Sequence, residues 1–338
     1  MHKILIICMG LSLVGCSSSH YLSKGRTFQL TSTTFSELNG WKQDTVISAL
    51  PAVKKSCATN PKGYERFCAG ISSVHSEGDF RTLIEGTLQP YRVTSKGSRI
   101  GKITGYYEAE LTGTRHHENG AQMPIYGAPT GYRQGNTYPT RKSIENNGLG
   151  SAPVVAWADN PIDLFIMHVQ GSGRLVTPEG EIIQLGYAGN NGRSFTGIGS
   201  ILKEDGVDPS IANSMPRIRE WCLEHPEKAR ALMQKNDRYI FFKELGGEGP
   251  IGSAGVALTP ARSLAVDTTY IPMHTPMWLE TTDPNGGVIR QLMMAQDTGS
   301  AIKGGIRADF FWGYGAAAFQ TAGHMNQQGS YYLLLPKK

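Results

Sequence analysis

From residue 103 to about residue 212, and again after Gly246-Gly247, the chain breaks into short apolar runs cut by turn residues. TGYYEAEL, MPIYGAP, APVVAWA, LFIMHVQGSGRL and EIIQLGYAGN make up the first stretch; VALTPARSLAVD, MWLETT, VIRQLMMAQDTG and SYYLLLP make up the second. Turns recurring every 8–12 residues or so leave little room for long helices and predict β-rich units. The 41 glycines among 338 residues supply those turns, well above the usual ~7%. Helical texture is confined to residues 79–91 (opened by an Asp cap and ended near Pro90), 216–235 and 315–325; Pro226 fits the first turn of a second segment. Residues 27–60 mix short apolar runs with Thr and Ser, and no repeat or heptad is present. The length allows two domains or one large one.

The N-terminus follows a different logic. Lys3 precedes a 12-residue apolar run, residues 4–15, too short for a bilayer that takes about 20 residues per helix. It reads as a signal peptide, residues 1–15. Leu13-Val14-Gly15-Cys16 resembles the bacterial lipobox, which implies cleavage after Gly15 and acylation of Cys16. Two or more acyl chains anchor a protein stably where one does not. Ser17 resembles the sorting signal for the outer membrane, and residues 16–26 suit a tether. Cys8 leaves with the leader. Cys57 and Cys68, in a Gly/Pro-containing region, either pair in an oxidising compartment or stay free. Cys222 beside Trp221 reads as a buried thiol.

Several chemistries are excluded on residue type and spacing. The nine His form no HxxxH or HxxH and there is no CxxC, so no metal site is expected. No GxSxG elbow occurs, and GYAGNNGRSFTGIG lacks the GxxxxGK[ST] phosphate loop. The charge of +5 suits an acidic polymer or an anionic membrane surface, not the blocky basicity of a nucleic-acid binder. Asp297-Thr298-Gly299 matches the aspartic-protease signature. That chemistry needs two such loops sharing a proton, and Asp267-Thr268-Thr269 lacks the glycine.

Three aspartates remain. Asp267 and Asp297 end apolar runs, where a strand would deliver them to a loop rim. Asp309 precedes Phe310-Phe311-Trp312. Desolvation beside that aromatic surface, and like charges nearby, would raise its pKa toward that of a general acid. The alternative is that all three cap turns through side-chain hydrogen bonds. The residues alone leave both readings open. The aromatic cluster reads as core more than as a sugar subsite.

GYYEAEL (105–111), FIMHVQGSGRL (165–175), GYAGNNGRSFTGIG (186–199), PIGSAGVALTPARSLAVDTTYIP (250–272) and AQDTGSAIKGGIRADFFWGYG (295–315) resemble the membrane-bound lytic murein transglycosylase A family. The last two resemble its C-terminal 3D domain, whose three aspartates map onto Asp267, Asp297 and Asp309. The stretch 304–308 is longer than the family pattern, with the order of motifs intact.

The resemblance implies a mainly β fold with a few helices: a double-psi β-barrel assembled from residues 27–102 and 243–338. A second β-rich domain, 103–242, is inserted between them as the other wall of a glycan groove. It implies cleavage of the β-1,4 bond between N-acetylmuramic acid and N-acetylglucosamine with a 1,6-anhydromuramic product, no cofactor, and Asp309 as the single acid/base. Asp297 and Asp267 would orient it or hold loops. Lys303 is either its electrostatic partner or a solvated loop lysine. Tyr106, Tyr107, Gln170, Ser172 and Arg174 are expected along the glycan. Tyr106 and Tyr107 alternate, so one would face the groove and the other the core. The implied partners are peptidoglycan strands, the outer membrane through the lipid, and cell-wall synthesis or division complexes. The runner-up is a non-catalytic peptidoglycan-binding lipoprotein using the same groove.

Overall fold

The computed structural model describes residues 27–117, 123–247 and 249–337. The expected leader, Cys16 and the expected tether lie outside the described residues. The strands are β1 (Phe28–Ser32), β2 (Leu88–Ser95), β3 (Gly101–Thr114), β4 (Met123–Tyr126), β5 (Val154–Ala158), β6 (Gly173–Val176), β7 (Ile182–Asn190) and β8 (Ile240–Glu244). They continue with β9 (Ser263–Val266), β10 (Pro276–Thr282), β11 (Val288–Asp297), β12 (Arg307–Tyr314) and β13 (Asn326–Pro336). The helices are α1 (Leu50–Cys57), α2 (Glu65–Ala69), α3 (Glu77–Thr87), α4 (Arg141–Asn147), α5 (Pro161–Gln170), α6 (Ile198–Glu204), α7 (Pro209–Ala212), α8 (Met215–Glu224), α9 (Pro226–Met233) and α10 (Gly315–His324).

The fold is mixed but dominated by sheet. Six strands pair in a closed cycle: β13–β10–β11–β9–β12–β3, with β3 returning to β13. Closure removes open edges from this part of the sheet. Alternation along each strand sends one set of side chains into the ring. Ile103, Leu264, Val266, Met293, Ala295, Ala308, Phe310 and Leu333 form its core. Full burial of a side chain such as Phe310 contributes roughly 1.5–3 kcal/mol. The residues between them, Thr104, Ala265 and Asp309, therefore face the other way.

Strand β3 is long enough to serve two sheets. Its first half pairs with β12 and β13; Ala109–Thr112 then pair with β6, and Gly113 and Thr114 with β5. Antiparallel β6–β7–β8 extend from there. Helices α5 to α9 pack over this second sheet around Phe165, Met167, Leu185, Leu202 and Phe242. On the ring's far side, α1 to α3 pack with Trp41, Phe80 and Trp278.

Four expectations change. LFIMHVQ is helix, not strand. Asn160 accepts hydrogen bonds from the Ile162 and Asp163 amides, Pro161 holds the first position, and Gly171 closes the helix at φ 83°. Burial of every residue from Ile162 to His168 except Asp163 blurs the amphipathic contrast that marks a surface helix. Residues 79–91 divide into α3 and β2. The N-cap is Ser76, whose Oγ accepts from the Asp79 amide, while Asp79 accepts from the His75 amide. Within 27–60, α1 is an unforeseen helix. The half-cystines sit on helices: Cys57 ends α1, Cys68 lies in α2, and they form a disulfide. The helices at 216–235 split at Pro226, and α10 is a single segment, as the sequence predicts. Cys222 is a buried free thiol.

Candidate active site

The register of four strand pairs lays a row of side chains across the ring. Asp297 pairs with Ala265, Ala265 with Asp309, Asp309 with Thr104 and Thr104 with Asn326. Strand spacing puts the Asp297 and Asp309 backbones roughly 9–10 Å apart. Only the Ala265 methyl lies between them in the row, which leaves the space open.

Asp297 reaches this row through a β-bulge. Ala295 pairs with Leu264 and Asp297 with Ala265, so Gln296 is the extra residue. Without it, alternation would turn Asp297 toward the ring core. Gln296 is fully buried. It accepts from Ser263 Oγ at 2.6 Å and donates to the Ala52 carbonyl at 2.8 Å and Ser56 Oγ at 2.9 Å. A Cβ on Gly252 would lie 2.3 Å from the Gln296 carbonyl. The glycine lets the neighbouring loop close onto the bulge and bring Ser253 to Asp297.

The two carboxyls have different surroundings. Asp297 Oδ1 accepts from the Ser253 amide, Ser253 Oγ and the Thr298 amide, and Oδ2 accepts from the Tyr106 hydroxyl at 3.1 Å. Burial still holds its pKa above the usual carboxyl range, against these donors. Asp309 accepts a single described hydrogen bond, from Thr104 Oγ1 at 2.5 Å. Burial raises its pKa; the Thr104 bond and the Arg307 and Lys102 charges oppose this, and the Asp297 charge adds to it.

A cleft runs over this row. Its central chamber, ≈ 330 Å³, holds Asp297, Asp309, Tyr106, Gln170 and Arg307. One arm, ≈ 340 Å³, passes Thr104, Tyr107 and Asn326. The other, ≈ 520 Å³, passes Ser172, Tyr187, Ser253 and Ser300. Gln170 lines all three. The Tyr107 amide donates to its Oε1, fixing the orientation of the side-chain amide.

The expected site residues divide accordingly. Asp309, Asp297, Tyr106, Gln170 and Ser172 meet at the cleft. Tyr106 faces Asp297 and packs on Phe311, while Tyr107 is buried against Phe319 with access to one arm. Asp267 lies apart, accepting from the Gly304 and Thr269 amides. Burial pushes its pKa up, but these donors and the Lys303 charge outweigh it and the net shift is downward. Lys303 is exposed and adjoins Asp267 rather than the pair. Arg174 donates to buried Glu108 at 2.9 Å and stacks 3.7 Å over Tyr314, outside the cleft. Phe310 and Phe311 are core. Gln296, Thr104, Tyr187 and Arg238 were not singled out by sequence. GYAGN placed Tyr187 in a strand, and it lines the cleft as an exposed aromatic, 41% accessible. Among the described residues no cluster of His, Cys, Asp and Glu is arranged to hold a metal ion.

Comparison with known proteins agrees in both halves. Residues 102–243 match the family model described as the MltA specific insert domain, and residues 262–335 match the 3D domain. The chain is 31% identical over 272 residues to the membrane-bound lytic murein transglycosylase A of Vibrio cholerae, covering 77% of this chain and 73% of that one. It is 33% identical over 241 residues to a homolog of that enzyme from Buchnera aphidicola, covering 69% of this chain and 66% of the relative, just under two thirds. The crystal structure of MltA from Neisseria gonorrhoeae superposes with a TM-score of 0.83 at 30% identity, covering 93% of this chain and 94% of that one. Fold and relatives together define a peptidoglycan lytic transglycosylase. The chain belongs to the membrane-bound lytic murein transglycosylase A family.

Proposed function

We propose that this protein cleaves the β-1,4 bond between N-acetylmuramic acid and N-acetylglucosamine in peptidoglycan, with Asp309 as the only acid/base. The observation that carries this is the unequal state of the two carboxyls. Four described donors hold Asp297, three on Oδ1 and one on Oδ2. Asp309 has one donor and a raised pKa. Burial raises both carboxyls and so favours the protonated form that a general acid needs; of the two, Asp309 has the fewer described partners and is the freer to meet substrate.

In the first step Asp309 gives its proton to the glycosidic oxygen as the C1–O bond breaks. The Asp309 carboxylate then takes the proton of the muramyl C6 hydroxyl, and O6 bonds to C1. The products are a 1,6-anhydromuramic end and a free 4-hydroxyl, with Asp309 protonated again. The substrate supplies its own nucleophile, so the second carboxyl that a glycosidase requires has no chemical step here. Asp297 holds the Tyr106 hydroxyl and raises the Asp309 pKa. The six-strand cycle is read as the double-psi β-barrel, with 27–102 and 243–338 forming the barrel domain and 103–242 the inserted wall. Residues 1–15 are read as the leader, with Cys16 as the lipid anchor to the outer membrane.

Mass spectrometry of murein digested by the purified protein and by Asp309→Ala tests the reaction. Anhydro-muropeptides from the wild type alone are expected. Intact murein in both digests would refute it in favour of a glycan binder, and reducing ends would favour hydrolysis with Asp297 as the base.

A further inference from the structure

The wider arm of the cleft carries two cationic side chains without a carboxylate partner among the described residues. Arg238, half-buried just before β8, lines both this arm and the central chamber; its side chain makes one described hydrogen bond, to the Arg193 carbonyl at 3.4 Å. Lys243, exposed on β8, pairs across the strand with Gly186, which has no side chain to cover it. The next residue, Glu244, is engaged with Arg115. Asp297 is the one described carboxyl lining this arm, and its described partners are Ser253, Thr298 and Tyr106 rather than either cation. A cleft wall with two free cations has a use that neutral sugar hydroxyls do not explain.

Accepting that the cleft binds peptidoglycan, we infer that Arg238 and Lys243 recognise a carboxylate borne on the muramyl side chain. Only the muramyl sugars of such a strand carry an acidic branch, the lactyl ether and its peptide stem, so cations on one arm set the register of the strand. With the acidic branch in that arm, a muramyl C1 is presented over Asp309. The contact is at the surface, where an exposed ion pair contributes ~0.2–1 kcal/mol. The double variant Arg238→Gln/Lys243→Gln should therefore raise KM on intact sacculi about three- to tenfold, with kcat little altered and the effect fading as salt increases.

Three substrates test this with wild type, the double variant, and Lys243→Gln alone, whose exposed position does not threaten folding. They are intact sacculi, strands stripped of stems by an amidase, and sacculi whose carboxyls are converted to amides. The wild-type advantage should be present on intact sacculi and absent on the amidated ones. On intact sacculi, where the lactyl carboxyl is amide-bonded, the ligand is a stem carboxylate; if the advantage persists on stripped strands, the cations also take the lactyl carboxylate that the amidase frees, and if it vanishes there they read the stem alone. Equal advantage on amidated sacculi, or no advantage on any substrate, overturns the inference. Anhydro products from the wild type would still stand in that case, which separates this failure from failure of the reaction itself.

Discussion

Among the described residues Thr104 is the one side chain that hydrogen-bonds Asp309, and Thr104→Val removes that donor while keeping the shape of the residue. The bond is short, 2.5 Å from Thr104 Oγ1 to Asp309 Oδ1, and it favours the ionised carboxyl. A hydrogen bond to a charged group is worth about 1.5–3 kcal/mol, and one pKa unit corresponds to about 1.4 kcal/mol. Loss of the bond should raise the Asp309 pKa by about 1–2 units, further above its already elevated position. Asp309 must be protonated to begin the reaction, so activity falls as pH rises through that pKa. The alkaline limb of the kcat/KM profile should move to higher pH in Thr104→Val, by the same amount. The assay is release of soluble anhydro-muropeptides across a pH series, with circular dichroism at each pH to confirm folding. A limb that stays in place or moves to lower pH would refute the assignment of Asp309 as the group that must carry the proton.

Two further outcomes follow from the same geometry. Because burial raises the Asp309 pKa, ionising it costs the folded state, and that cost sets in as pH rises from the unfolded value of about 3.9. Asp309→Asn should gain thermal stability over wild type through that window and keep a constant margin above the folded-state pKa, while losing about 10²–10⁴ in rate; a melting-temperature difference independent of pH would contradict this. Gln296→Ala should destabilise the fold by about 1–3 kcal/mol, since its buried partners lose their bonds, and should lower kcat at temperatures well below unfolding. Full kcat in that variant would show that the bulge does not position Asp297.

The motifs of the site were legible in the sequence, but its assembly was not. The segments around Asp267 and Asp297 are legible as strand ends, and the 315–325 helix and Pro226 break follow from local rules. What placed Asp297, Ala265, Asp309 and Thr104 in one row is register between strands distant in sequence, which no local pattern encodes. The bulge at Gln296 reads in sequence as one more residue of an apolar run. Arg174 looked available for sugar because its partner Glu108 lies on another strand. LFIMHVQ misled because five consecutive buried residues, Leu164 to His168, leave too little polar contrast within the run to distinguish a helix from a strand.

Strand β3 contributes Thr104 and Tyr106 to the floor of the cleft, and a few residues later it is hydrogen-bonded into the sheet that carries the opposite wall. Floor and wall are thus two stretches of one continuous ribbon. Any change in the width of the cleft must therefore pass through the bend and twist of this one strand, and would be felt directly at Thr104 and Tyr106 beside the two carboxyls.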